Sequence, residues 1–165
     1  MNPEFLSGEA SASPAVQPLL DGARRLDALG FGSGALSARN GLRTTTHARV
    51  PLGALSDQDF VEVADYDPHL DRLLCIGRRD PQPFAGMHHL MLRAKREIGA
   101  IVMVEAPSAG DRAPGAKTGG RTQLDLALAA LEALRGTRTT SVGAHVLVTG
   151  RFVEEAVGLA VEVLR

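Results

Sequence analysis

The chain has no tryptophan, one tyrosine and five phenylalanines in 165 residues, too few rings for the stacking platform that single-stranded nucleic acid requires. It has no excess of positive charge either: 18 Lys and Arg stand against 19 Asp and Glu, for a net charge of −1. Binding a nucleic-acid backbone depends on counterion release by clustered Lys and Arg, so this balance argues against that partner. Cys75 is the single cysteine, within the apolar run Leu73-Leu74-Cys75-Ile76. It reads as a small buried side chain in a reducing compartment, since nothing nearby would activate a thiol. No apolar run approaches the roughly 20 residues of a membrane span, and the N-terminus lacks a basic region followed by an apolar one. A cytoplasmic address with no membrane contact is the expectation.

What is present suits one core. Hydrophobic residues make up 44% and charged residues 22%, a globular balance at the length of one domain. Residues 1–15, small and polar, are expected as a flexible, frayed lead-in to a single domain over 16–165. Val16, Leu19, Leu20, Ala23, Leu26 and Leu29 recur at helical spacing, and Gly30 closes that helix. Segments 35–39 and 42–46 flank Asn40-Gly41, a two-residue hairpin signal. A second hairpin over 60–65 and 70–76 turns at Asp67-Pro68-His69. Beyond it come a helix over 84–97, a strand over 99–104 and a Gly/Pro/Ala-rich loop over 106–121. Thr122 then caps a helix with Asp125 in the capping-box position and a stripe of Leu124, Leu128, Leu131 and Leu134. A strand over 142–149 and a helix over 152–164 end the chain. Hairpins mixed with crossover helices predict an α/β domain, its mixed and largely antiparallel sheet covered by helices on both faces.

Several motifs invite a chemical reading. Gly30-Phe31-Gly32-Ser33-Gly34 is glycine-rich, but it follows a helix and precedes a strand, the reverse of what dinucleotide binding needs. Residues 110–118 nearly spell a phosphate-binding loop, yet Ala116 separates Gly115 from Lys117, and Asp111 would set a carboxylate beside the phosphates. Among His47, His69, His88, His89 and His145 no pair has the spacing that gives two ligands to one metal. The adjacent His88 and His89 diverge by about 100° on a helix. Surface or hydrogen-bonded core roles are expected for all five. Glu105 is the more interesting residue, since strand ends in α/β domains often face a site.

Taken together, these pieces resemble the class II aldolase/adducin family over nearly the whole chain, from about Leu19 onward. Ser33-Gly34-Ala35-Leu36-Ser37-Ala38-Arg39 is similar to the family's Ser-Gly-Asn-Ile-Ser-Ala-Arg turn, and residues 50–61 resemble its linker into the next strand. Residues 93–102 resemble the helix-to-strand run ahead of its metal ligands, and residues 150–156 the start of its last helix. The resemblance implies a three-layer α/β/α fold. It also implies a divalent metal, usually zinc, held by a His-x-His pair and a third histidine, with a glutamate as acid/base.

Carried over position by position, that machinery is largely replaced. The His-x-His pair falls on Met103 and Glu105, a poor shell for zinc. Counted back from Gly150, the third histidine falls on Ala144 with His145 one place off, a slip that in a strand would turn the side chain to the other face. The glutamate falls on Phe84, which cannot transfer a proton. The phosphate-binding asparagine becomes Ala35 and the second phosphate loop Ala48-Arg49, where Arg49 could still grip an anion. The first expectation is therefore a catalytically degenerate binding or assembly module. It needs no cofactor, forms a homo-oligomer (a tetramer by family analogy, with the adducin branch as precedent for a structural role) and has a small anion as its candidate ligand. The alternative is an altered lyase- or epimerase-like enzyme with residual pocket residues Glu105, His145, His88 and Arg49, and zinc or another divalent metal on Glu105 and His145. Nucleotide binding through 110–118 is a third reading.

Overall fold

Along β2 (Gly34–Asn40) the strand period separates two cores: Leu36 and Ala38 enter one, Ala35 the other. A computed structural model describes residues 1–105 and 122–165, so the loop over 106–121 and its phosphate-loop-like stretch lie outside the described residues. Among the described residues the sheet has eight strands in the order β1-β5-β4-β3-β2-β6-β8-β7. These are β1 (Asn2–Ser7), β2, β3 (Arg43–His47), β4 (Phe60–Asp67), β5 (Arg72–Ile76), β6 (Ala100–Glu105), β7 (Thr139–Val142) and β8 (His145–Gly150). Every neighbouring pair is antiparallel except β1 with β5.

Helices α1 (Val16–Ala28) and α4 (Val153–Leu164) cover one face, burying Leu19, Leu26, Val157 and Val161 against Val102, Val104 and Val148. Helices α2 (Ala85–Ala94) and α3 (Gln123–Ala133) cover the other, packing Met87, Met91, Leu126 and Ala130 on Ile101, Met103 and Leu147. The expected three-layer α/β/α arrangement is therefore observed. Helix α1 ends in a Schellman closure: the N–H of Gly30 donates to the Asp27 carbonyl at 2.9 Å and that of Phe31 to Leu26 at 3.0 Å. No helix among the described residues is long and apolar enough to cross a membrane.

Four local expectations need correction. Residues 2–7 are not a frayed lead-in but the edge strand β1, and Ser11 donates to Glu62 while Thr45 donates to Ser13, tying residues 11–13 down as well. The first hairpin turns at Gly41-Leu42, one residue later than Asn40-Gly41: Asn40 pairs with Arg43, and only Gly41 of the two has positive φ (60°), the type II′ pattern. The strand expected over 142–149 is a hairpin, β7 turning into β8 at Gly143-Ala144, again with only the glycine at positive φ. On α3 the buried face is Leu126, Ala127 and Ala130, with Leu134 just beyond the helix. Leu128 is 57% exposed and lies off that face. The capping box of Thr122 and Asp125 is present as expected.

Candidate functional site

Four elements end around one cavity of about 320 Å³: the turn Gly32–Ala35 into β2, the end of β3 at His47 and Arg49, the residues Gln82–Phe84 before α2, and the start of β8 at His145. The cavity floor is held by backbone bonds. Ala48 N–H donates to Asp59 at 2.7 Å, Arg49 N–H to Asp80 at 3.0 Å and Gln82 N–H to His47 at 2.9 Å. The Gln82 side-chain oxygen accepts from Phe84 N–H at 2.6 Å, standing in for a helix cap.

His145, the first residue of β8, lies directly across from Glu105, with Met103 opposite Leu147 two pairs further along. Because Met103 and Leu147 face α2 and α3, His145 faces the same way. Register counted back from Gly150 set this histidine one place off; the observed pairing puts His145 on the face shared by Met103 and Glu105. Its ring packs edge-on against Phe84, centroids 5.0 Å apart at 69°, and Nδ1 is buried without a hydrogen-bond partner.

The other candidates are dispersed. Arg49 lines the cavity with His145. Glu105 is exposed and instead lines a neighbouring pocket with Gly30–Ser33 that shares Gly32 and Ser33 with the cavity. His88 is fully buried and does not line the cavity. Its Nδ1 is 2.8 Å from Ser37 Oγ and its Nε2 3.1 Å from Met103 Sδ. A thioether only accepts, so Nε2 carries the proton and Nδ1 is the acceptor, with the Gln82 amide nitrogen 3.4 Å away. Burial pushes its pKa down to about 3. His88 is a neutral core residue.

Zinc does not fit this donor set. Met103 is 0% exposed and its sulfur already meets His88, which leaves only Glu105 and His145 of the positions that the resemblance implies. Among the described residues no three His, Cys, Asp or Glu side chains are grouped to hold a metal ion. Sequence reasoning overlooked His47 and Gln82. His47 follows three threonines with no motif around it, and its nearness to Arg49 is the only signal the chain offers.

No family model matches the sequence, and no curated protein is detectably similar to it. Solved structures do match. An L-fuculose 1-phosphate aldolase superposes with a TM-score of 0.74 at 17% identity, covering 93% of this chain and 83% of its own. A sugar-phosphate aldolase from Thermotoga maritima gives 0.66 at 15% identity, covering 91% and 90%. The N-terminal class II aldolase domain of a conserved protein from Thermoplasma acidophilum gives 0.61 at 11% identity, covering 98% and 99%. The fold is that of the class II aldolases.

Proposed function

We propose that this chain, built on the class II aldolase fold, is a binding or assembly module that holds a small anion in the cavity between Arg49 and His145. Metal-dependent lyase chemistry is not part of this reading. The observation that carries it is the state of Met103. Its sulfur is committed to His88 inside the core, at a position where the resemblance implies a metal-binding imidazole. Phe84, where that resemblance implies an acid/base glutamate, seals the His145 ring instead of offering a proton. Arg49 supplies the anion grip, since a guanidinium can bind a carboxylate or phosphate through two parallel N–H donors. The homo-oligomer, a tetramer by family analogy, and the cytoplasmic address belong to this reading too. Light scattering of the purified protein checks the first.

The test combines two measurements. Elemental analysis of protein purified without a metal-affinity step or chelator is expected to find only background metal. Phosphate or a small carboxylate at 100 times its dissociation constant is expected to stabilise the fold by about 2.7 kcal/mol, or roughly 5–11 °C in Tm at this size. Arg49→Ala should abolish that shift. The cross-strand pairing of Glu105 with His145 favours a second reading, an enzyme with a rearranged site. Near-stoichiometric zinc or another divalent metal would establish it over the first.

A further inference from the structure

Two ring nitrogens on residues of the cavity wall find no hydrogen-bond partner among the described residues. His47 is 1% exposed, and its Nδ1 lies 2.7 Å from the carbonyl oxygen of Ala48. A carbonyl oxygen only accepts, so Nδ1 carries the ring proton and Nε2 is left with a lone pair. Among the described residues Nε2 forms no hydrogen bond and is buried, on a residue that lines the cavity with the Gly34 backbone close by. Native folds leave few buried polar atoms in that state, and those that remain call for an explanation. Burial also keeps the ring neutral, pushing its pKa down to about 4. His145 Nδ1 is a second buried, unpartnered nitrogen on a residue lining the same cavity. Arg49 forms no ion pair among the described residues.

We propose that His47 reads the ligand: its Nε2 accepts a hydrogen bond from a hydroxyl on a small molecule whose anionic group sits at Arg49. This rests on the anion-cavity reading above and narrows it to small hydroxylated anions. The chemistry of the two groups divides the ligand between them. A carboxylate or phosphate oxygen brought to Nε2 would set lone pair against lone pair, whereas a hydroxyl offers the missing proton. Arg49 has donors only and takes the charged end. The Ala48 carbonyl is the positioning element, because it fixes which ring nitrogen carries the proton.

The experiment is a nitrogen-15 histidine NMR titration at pH 7.5 with glycolate and, separately, propionate, in which a methyl replaces the hydroxyl. The expected result is a free protein whose His47 Nε2 is unprotonated and shifts saturably with glycolate. Glycolate should bind about 2- to 13-fold tighter than propionate, the worth of one hydrogen bond. In His47→Phe that preference should vanish while weak binding of both acids persists. A proton found on Nε2 of the free protein overturns the assignment without reference to any ligand, and so does equal affinity for the two acids, which leaves ordered water as the atom's partner. If Arg49→Ala weakens both acids equally in that case, the anion cavity stands and only the role of His47 falls. If neither acid binds saturably, both fall together.

Discussion

Acidification from pH 6.5 to 4.5 is expected to remove on the order of 6 kcal/mol of stability, enough to unfold a domain of ordinary stability. The cause is three buried imidazoles. His47 and His89 have pKa values pushed down to about 4, and His88 to about 3, with burial the largest cause for each. In the unfolded chain each returns to about 6.5. Below pH 6.5 the unfolded chain takes up protons that the folded chain refuses, so stability falls with pH, and the loss levels off only once the folded histidines protonate near pH 3–4. Within that window each histidine contributes a slope of about 1.4 kcal/mol per pH unit. Urea denaturation at pH 7, 6 and 5 reads the slope directly, and calorimetry in buffers of different ionisation heat counts the protons. His88→Gln should remove about a third of the slope. A stability that stays flat between pH 7 and 5 would mean that these rings are hydrated and titrate normally.

Gly99→Ala is expected to cost more than about 4 kcal/mol, beyond what a surface change produces. Gly99 lies just before β6, where its N–H donates to Gly150 at 2.8 Å and its carbonyl accepts from Arg39 N–H at 2.8 Å. A β-carbon there would sit 1.8 Å from the Arg151 carbonyl oxygen and 2.7 Å from its carbonyl carbon. Both obstacles are backbone, so no rotamer change relieves them. Relief requires separating β6 from the end of β8, the two strands that carry Glu105 and His145. Gly158→Ala supplies the contrast. It lies within α4, a β-carbon there meets nothing within 4 Å, and a gain of about 0.5–1 kcal/mol is expected. Urea midpoints of the two variants test the pair. A Gly99→Ala protein with a wild-type midpoint would show that the strands do not approach as described.

Legibility of the chain followed the strength of local signals. Helix α1, the capping box at Thr122 and both early hairpins declare themselves through periodicity and turn chemistry. Strand β1 does not, because it carries Pro3 and Glu4, lies at the sheet edge with little alternation of burial, and pairs with a segment far along the chain. The turn at Gly143-Ala144 lacks the Asn-Gly or Asp-Gly signature that marks most tight hairpins, so β7 and β8 read as one strand with flanking loop. Met103 and Phe84 drew attention only through the family resemblance. His47 was not legible, since its significance lies in one unpaired nitrogen that only three-dimensional placement exposes.

The parallel pairing of β1 with β5 imposes an order on biosynthesis. Glu4 and its partner Arg72 are 68 positions apart, so at about 5–20 residues per second the ribosome releases β1 roughly 3–14 s before the strand it will join. Throughout that interval Phe5 and Leu6, partly exposed even in the finished fold, have no sheet to lie against. Neighbouring nascent chains on one messenger carry the same unpaired segment at the same time. The interval in which they can pair with one another is set by translation speed, and no gain in native stability shortens it.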